Sequence, residues 1–425
     1  MINNKLIKSG FYLFVASLVG NVSAYFFQFY MSRKLSVEDF GMFNSLLSLS
    51  AIISVPAGTV LVVMARYVSK FNATCAVGKI KYLLYNAYIK LLLAGILGVG
   101  IFVSLSGYIS DYLNIGTRFP LILIGVSLLI SLLLPINMGI LQGLQKFGYM
   151  GLSGILSGVL RLACGVLLIS LGLGVNGAIV AGIIPSLVML FITFYPIRFL
   201  FNKAVHNDNE RYTKEILLYS LPVTLSTLCF TGLINIDLVL VKHFFSPEEA
   251  GNYAAAAILG RSIFYLPGAI ILAMFPMVSE SHTLNKDTYG LLSKALIFTL
   301  LLSGVGLVLF SIFPSQLMGL LMGKKFIPIA PLLRIFGFAM LPFALLNIVI
   351  NFNLARHSTK FVYTLVPGCL LEVFLLYIFH NSLTHVIYIM GGSGALLFFV
   401  NFFLILREKI GYVYRYPQIA QIHAD

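Results

Sequence analysis

Charged side chains are scarce in this sequence: they make up 10% of its 425 residues, while hydrophobic residues make up 59% and the mean hydropathy is +0.98. A soluble protein of this size needs far more polar surface, so that class is excluded. In lipid, backbone polar groups must be paired internally, which leaves helices or closed barrels as spanning structures. The apolar runs last about twenty residues without alternating polar positions, so they predict transmembrane helices.

Cysteines are also few, and sets of residues typical of catalytic sites are lacking. The four cysteines, Cys75, Cys164, Cys229 and Cys369, share no spacing, which argues against a disulfide framework or a zinc site. The predicted outer loops hold no paired carboxylates, no Ser/His/Asp set and no cluster of metal ligands. We therefore expect no catalytic residue, no bound metal and no organic cofactor.

Acidic residues number only 14 against 28 lysines and arginines. The excess positive charge lies in short loops between apolar runs, which is typical of topology signals and does not indicate a nucleic-acid partner. Counting alternate predicted loops from the N-terminus places 18 basic residues in one set and 6 in the other. Because basic residues favour the cytoplasmic side, this asymmetry predicts that both termini are cytoplasmic.

The apolar runs predict an all-α polytopic membrane protein of about twelve helices in two halves. The only long charged interval is 198–215, which we interpret as a cytoplasmic linker between an N-lobe at 1–197 and a C-lobe at 216–425. The predicted spans are 9–31, 41–63, 84–107, 120–143, 149–171 and 175–196, and then 216–241, 251–274, 291–313, 328–352, 361–380 and 385–406.

The two halves share a repeat at a shift of 210 residues, where nine of the 34 positions in 36–69 are identical to those in 246–279. Both copies follow a span that runs outward, so the repeats are parallel, with an axis along the membrane normal. The shift does not conserve every charge, because Asp237 aligns with Phe27 and Arg261 aligns with Ala51.

The repeated motif predicts how the second helix of each half begins. Ser36 and Ser246 each precede an acid by three residues, Asp39 and Glu249, which is the spacing of a capping box. Pro247 occupies a first helical position, where the missing N–H is not needed. Gly41 and Gly251 would allow a neighbouring helix to come close. We interpret these residues as structural.

Four short segments carry a family resemblance: 33–41 (RKLSVEDFG), 65–69 (ARYVS), 141–147 (LQGLQKF) and 235–237 (NID). They resemble motifs of the polysaccharide repeat-unit flippases of O-antigen type, within the multidrug/oligosaccharidyl-lipid/polysaccharide exporter superfamily. The resemblance covers essentially the whole chain.

The resemblance implies a V-shaped pair of six-helix bundles in the bacterial inner membrane. It also implies that the protein moves undecaprenyl-pyrophosphate-linked oligosaccharides to the periplasmic leaflet by alternating access, driven by an H⁺ or Na⁺ gradient. Expected partners are the lipid-linked oligosaccharide, membrane lipids, and a polysaccharide polymerase with its chain-length regulator. A multidrug exporter of the same superfamily is the alternative function. A membrane-embedded polymerase or ligase is disfavoured, because the predicted outer loops are short.

Charged residues within predicted spans are the candidate site residues, because an ionisable group inside a membrane is costly and is usually functional. One interpretation assigns the basic residues to a pyrophosphate in a cavity and the acidic residues to a coupling ion. The other interpretation is internal pairing of Asp237 with Arg261 or Arg334, with Lys90 reaching the cytoplasmic interface. The basic candidates are Arg161, Arg261, Arg334 and Lys90, and the acidic candidates are Asp237 and Glu372.

Overall fold

A computed structural model of the chain describes residues 2–201, 213–284, 287–356, 358 and 360–415. Side chains are described from 15 to 408 within those ranges, except at 213–220, 222 and 223. The described residues form helices joined by short connections, without a β-strand. Most of the predicted linker, 202–212, lies outside the described residues.

The described residues of the first half form six long helices and a short one at Ser106–Tyr112. Helix α1 is Ile2–Lys34, and α2 is a pair of segments, Val37–Ile53 and Val55–Ala73, that meet at a bend of 42°. Pro56 lies at the bend, in the first turn of the second segment, where proline fits a helix start. The next helices are α3 at Val77–Ser104, α4 at Phe119–Gly143, α5 at Phe147–Ser170 and α6 at Gly174–Ile192. A 3₁₀ turn at Tyr195–Leu200 follows α6.

The described residues of the second half also form six long helices. One of them is interrupted, and another is preceded by short turns. Helix α7 is Thr213–Phe244, and α8 runs in three segments, Pro247–Gly260, Ser262–Tyr265 and Gly268–Thr283. Helix α9 is Tyr289–Ile312, and short turns between Pro314 and Ile329 lead to α10 at Ala330–Ala355. The last two helices are α11 at Val362–Ile378 and α12 at Leu383–Arg415.

Each of the twelve predicted spans overlaps one of these twelve helices. Nine helical segments of the described chain are long and apolar enough to cross a membrane, and the bent α2 raises the number to ten. Helix α11 is apolar but shorter, with 17 residues. The prediction of an all-α multi-pass membrane protein is confirmed, while the count of twelve spans and the cytoplasmic termini stay predictions.

The internal contacts divide the chain into two compact units. The first contains the chain up to Thr231 together with Phe245–Gly251, and the second contains Gly232–Phe244 and the chain from Asn252 onward. The division therefore falls within α7, whereas the sequence placed the lobe boundary in the loop before it. The predicted lobes at 1–197 and 216–425, and their V-shaped arrangement, remain predictions.

Each unit has its own apolar core. In the first unit, α2, α3, α4 and α6 bury residues such as Val68, Ile80 and Ile140 against one another. Close packing of α2 on α4 depends on two glycines one helical turn apart, Gly139 and Gly143. A Cβ on Gly143 would lie 2.6 Å from the Val68 Cβ, so only glycine lets the two helices approach this closely.

Candidate functional site

The second unit contains a cluster of charged side chains in its interior, built around Asp237 on α7. The carboxylate of Asp237 is fully buried, and it accepts two hydrogen bonds from Arg261 Nη2, at 2.7 and 2.9 Å. Arg261 is 8% exposed. A buried charge without a partner costs several kcal/mol, so each of these groups stabilises the other. The pairing that the sequence left open is therefore made between Asp237 and Arg261, and Arg334 is not involved.

Arg261 is placed by an interruption of α8. It separates the segments Pro247–Gly260 and Ser262–Tyr265, and Pro267 ends the second of them. The preceding Gly260 allows close packing, because a Cβ there would overlap the ring of Phe336 on α10. The backbone stays hydrogen-bonded through this interruption, because the Arg261 N–H donates to the Ala257 carbonyl at 2.8 Å and the Arg261 carbonyl accepts from the Tyr265 N–H at 3.2 Å.

A tyrosine and a second carboxylate extend the cluster. Tyr253 on α8 donates a hydrogen bond of 2.8 Å to Asp237 Oδ2, and Ser393 on α12 donates one to Glu372 Oε2 on α11. Glu372 is fully buried, and its other oxygen, Oε1, has no hydrogen-bond partner among the described residues. Met390 connects the two parts, since the Tyr253 hydroxyl lies 3.3 Å from its sulfur and the Ser393 hydroxyl lies 2.9 Å from its carbonyl oxygen. The cluster thus holds two carboxylates and one guanidinium, which leaves one negative charge uncompensated when both acids are ionised.

The first unit holds its mid-helix arginine differently. Arg161 on α5 lies over the ring of Phe27 on α1, with its guanidinium carbon 4.6 Å from the ring centroid. This is the geometry of a cation–π contact. Arg161 forms no ion pair with any described carboxylate, and its buried Nε has no hydrogen-bond partner there. The first 197 residues contain only three acids, Glu38, Asp39 and Asp111, and all three lie outside the predicted spans.

Two polar side chains accompany Phe27 on α1 and α2. Gln28 Nε2 donates a hydrogen bond of 3.2 Å to Asn44 Oδ1, and the Asn44 amide donates to the Phe40 carbonyl. Gln28 Oε1 is buried and has no hydrogen-bond partner among the described residues. The interior of the first unit therefore contains two groups with spare hydrogen-bonding capacity, one acceptor on Gln28 and one donor on Arg161.

The other two basic candidates lie outside these clusters. Arg334 on α10 and Lys90 on α3 both have exposed side chains, in contrast to the buried Arg261. The structure therefore brings together Asp237 and Arg261, with Glu372 in the same cluster, and it leaves Arg161, Arg334 and Lys90 at separate places.

The repeated motif forms helix caps in both halves. Ser36 Oγ accepts a hydrogen bond of 3.0 Å from the Asp39 N–H, and Ser246 Oγ accepts one of 3.3 Å from the Glu249 N–H. At Ser246 the acid also reaches back, since the serine N–H donates to Glu249 Oε2 at 3.1 Å. Pro247 is the first residue of its segment. These contacts satisfy N–H groups that a helix start leaves unpaired.

The two glycines of the motif contact each other within the first unit, which includes the segment Phe245–Gly251. A Cβ on Gly41 would lie 2.5 Å from the Gly251 backbone nitrogen, and a Cβ on Gly251 would overlap the Val37 carbonyl oxygen. The sequence predicted that each glycine admits a neighbouring helix. The neighbour is in fact the other copy of the motif, which sequence reasoning did not identify.

The segment 141–147 supports the connection after α4. Gln145 adopts a positive φ of 56°, and Lys146 Nζ donates a hydrogen bond of 2.5 Å to the Pro196 carbonyl. Burial lowers the pKa of Lys146 from its ordinary value. This motif therefore joins the end of α4 to the 3₁₀ turn after α6.

Sequence reasoning missed the hydroxyl groups of the second cluster, Tyr253 and Ser393, and the amides of Gln28 and Asn44. A search for polar side chains within apolar runs would have found the amides, because such groups need partners in lipid. Among the described residues, no group of three or more His, Cys, Asp or Glu side chains is arranged to hold a metal ion.

Comparison with known proteins identifies the family of this chain. A family described as "Polysaccharide biosynthesis protein" matches residues 6–282. The chain belongs to this polysaccharide biosynthesis protein family. The match confirms the resemblance that the motifs indicated. It covers most of the first unit, α7 and most of α8. An uncharacterized membrane protein of Methanocaldococcus jannaschii, MJ1375, is 24% identical over 430 residues, covering 95% of this chain and 99% of that one.

Solved structures show that this member of the polysaccharide biosynthesis family has a transporter fold. An inward-facing multidrug resistance MATE family transporter of the MOP superfamily matches with a TM-score of 0.75 and 14% identity, covering 94% of this chain and 96% of that one. The lipid II flippase MurJ, in an inward closed conformation, matches with a TM-score of 0.72 and 15% identity, covering 94% of this chain and 87% of that one.

Proposed function

We propose that this protein flips undecaprenyl-pyrophosphate-linked oligosaccharide repeat units across the bacterial cytoplasmic membrane by alternating access, for assembly of O-antigen or another surface polysaccharide. Membership of the polysaccharide biosynthesis family and the fold shared with a lipid II flippase support this proposal. The observation that carries it is Arg161, a mid-helix guanidinium without a carboxylate partner among the described residues.

The state of Arg161 favours an anionic substrate. A pyrophosphate offers several oxygens to the planar fork of a guanidinium, and such bonds are strong where water is scarce. The free donor on Arg161 Nε adds a contact for a phosphate oxygen, and the acceptor on Gln28 suits a hydroxyl group of the sugar. A site for cationic drugs would place carboxylates in this region, and the predicted spans of the first half contain none.

Arg261 has a different role in this proposal. Its charge is compensated by Asp237, so it attracts an anion less strongly than Arg161 does. Arg334 and Lys90 have exposed side chains outside both clusters, so this proposal assigns them no contact with the pyrophosphate.

Asp237 and Glu372 serve as the coupling element. Arg261 compensates only one of the two carboxylates, so the second needs a proton or a sodium ion when it is buried. Binding and release of that cation would bias the alternating-access equilibrium. In an uncoupling test, Glu372→Gln keeps the shape of the side chain and removes the ionisable group. We expect transport by this variant to lose its dependence on an imposed H⁺ or Na⁺ gradient. An unchanged dependence would assign Glu372 to packing alone.

The function is tested in a strain that lacks this gene, by complementation with wild type, Arg161→Gln and Arg161→Lys. We expect wild type to restore surface polymer. We expect Arg161→Gln to reach the membrane in normal amounts while lipid-linked repeat units accumulate on the cytoplasmic face. Arg161→Lys keeps the charge but loses the fork, so partial recovery is expected. Lys294→Gln on α9, which removes an exposed positive charge elsewhere, is the matched control.

Two outcomes would contradict the proposal. Normal polymer in the deletion strain, together with new sensitivity to cationic drugs, would favour a multidrug exporter. Repeat units that reach the periplasmic face but stay unpolymerised would favour a polymerase or ligase. Physical association with a polysaccharide polymerase and its chain-length regulator is a further expectation, tested by co-purification from the native membrane.

A further inference from the structure

The second unit contains a cavity of about 340 Å³ at one end of its helices, away from the cluster around Asp237. Its walls come from the end of α10, from residues 358, 360 and 361 just before α11, and from residues 401–408 of α12. The residues that matter here are Asn353, Lys360, Phe361, Asn401, Arg407 and Glu408.

Positive charge exceeds negative charge around this cavity. Glu408 is the acid in its lining, and it contacts Lys360 Nζ at 3.1 Å and Arg356 Nη1 at 3.7 Å. Arg407 has an exposed side chain with no ion-pair partner among the described residues. Lys360 and Arg407 of the lining and the neighbouring Arg356 together outnumber the single carboxylate, which leaves an excess of two positive charges for an external anion.

The neutral groups of the cavity are arranged for a polar ligand. Asn353 is only 6% exposed, and its side-chain amide has no hydrogen bond within the described part of the chain. Asn401 is held in place, because it accepts from Thr364 Oγ1 at 2.9 Å and donates to the Leu397 carbonyl at 2.8 Å. One amide is therefore fixed by the fold, and the other is available to a ligand.

The apolar part of the cavity indicates the kind of anion. Phe361 and Leu404 also line it, and exposed apolar residues continue along α12 away from the charged end, including Val400 and Leu396. A ligand with a phosphate head and a hydrocarbon tail matches a charged cavity that is continued by an apolar helix face. The basic residues belong to the loop set that the positive-inside asymmetry places in the cytoplasm, where anionic lipids accumulate.

We propose that this cavity binds the phosphate of an acidic phospholipid from the cytoplasmic leaflet. Lys360, Arg407 and the free amide of Asn353 contact the phosphate, and an acyl chain follows the apolar face of α12. This inference does not depend on the transported substrate, since the cavity uses none of the residues assigned to the pyrophosphate or the coupling ion.

The test is native mass spectrometry of the full-length protein, which counts bound lipids. Protein purified in detergent is titrated with phosphatidylglycerol or with phosphatidylcholine of the same acyl chains. The variants are wild type, the double variant Lys360→Gln/Arg407→Gln, and a control, Lys70→Gln/Lys294→Gln, which removes two charges on the same predicted side outside the cavity. We expect the cavity variant to bind phosphatidylglycerol roughly 30-fold more weakly than wild type and the control to bind as wild type does.

Two results would overturn the proposal. Equal binding of phosphatidylglycerol by wild type and the cavity variant would remove the cavity as a lipid site. Displacement of the bound phosphatidylglycerol by millimolar glycerol phosphate alone would assign the phosphate site to a soluble ligand. A thermal melt of each variant without added lipid checks folding, and the remaining contact between Arg356 and Glu408 keeps that carboxylate paired in the cavity variant.

Discussion

In the first unit Arg161 lies over the ring of Phe27, whereas in the second unit Arg261 is bound by the carboxylate of Asp237. Phe27 and Asp237 are equivalent positions at the shift of 210 residues that relates the halves. Their helical neighbours are also equivalent: Phe43 contacts Phe27 edge to face, and Tyr253 donates a hydrogen bond to Asp237. The repeat has therefore kept the contact between these positions while changing its chemistry.

The ion pair and the cation–π contact leave their arginines in different states, so the two related bundles can use an arginine for different purposes. An ion pair neutralises its arginine and makes it part of the fold. A cation–π contact leaves the positive charge in place and still orients the guanidinium. The first unit thus keeps a charge available for a ligand, while the second unit satisfies its arginine and retains a spare carboxylate.

The largest expected effect comes from breaking the ion pair. Asp237→Asn leaves the Arg261 charge buried without compensation, so we expect it to lower the free energy of unfolding by about 3 to 5 kcal/mol. The measurement is unfolding in detergent, followed by circular dichroism. The double variant Asp237→Asn/Arg261→Gln removes both charges and should recover most of this loss. If the double variant were no more stable than the single one, the pair would not be the source of the effect.

A smaller effect is expected when the tyrosine of the second unit is changed to the residue that the first unit has. Tyr253→Phe removes the hydroxyl that donates to Asp237, and we expect a loss of about 1 to 2 kcal/mol. The same unfolding assay measures it. Phe43, at the equivalent position of the first unit, has no hydroxyl. Phe43→Leu therefore measures what the aromatic ring alone contributes there, for comparison with the hydroxyl of Tyr253. A Tyr253→Phe protein as stable as wild type would show that Arg261 alone satisfies the carboxylate.

Loss of the helix cap should lower stability equally in the two copies of the repeat, in contrast to changes at Phe27 and Asp237. Ser36→Ala and Ser246→Ala each remove one cap hydrogen bond, and we expect each to cost about 1 kcal/mol. Ser36→Asp and Ser246→Asp keep an acceptor at the cap and should restore most of the loss. A loss in only one half would mean that the shared motif has different roles in the two units.

The helices could be predicted because hydropathy alone fixes them: runs of about twenty apolar residues have no stable alternative in lipid. Pro267 marks the last break in α8, but the interruption at Arg261 was harder to predict, since the nearest proline, Pro267, lies six residues further on. Asp237 and Arg261 were recognised as costly charges, but their separation of 24 residues left the choice of partner open. The Gly41–Gly251 contact joins the two copies of the repeat, and no local pattern carries that information.

The smallest expected change in stability concerns Arg161, and it completes the comparison. Arg161→Gln loses the contact with Phe27, which is worth about 1 kcal/mol, but it also removes a buried Nε that lacks a partner. These two effects oppose each other, so we expect the free energy of unfolding to change by about 1 kcal/mol or less. The unfolding assay used for Asp237→Asn measures this change directly. A loss as large as that of Asp237→Asn would mean that Arg161 is as structural as Arg261, because a residue held for a ligand contributes little to the fold that presents it.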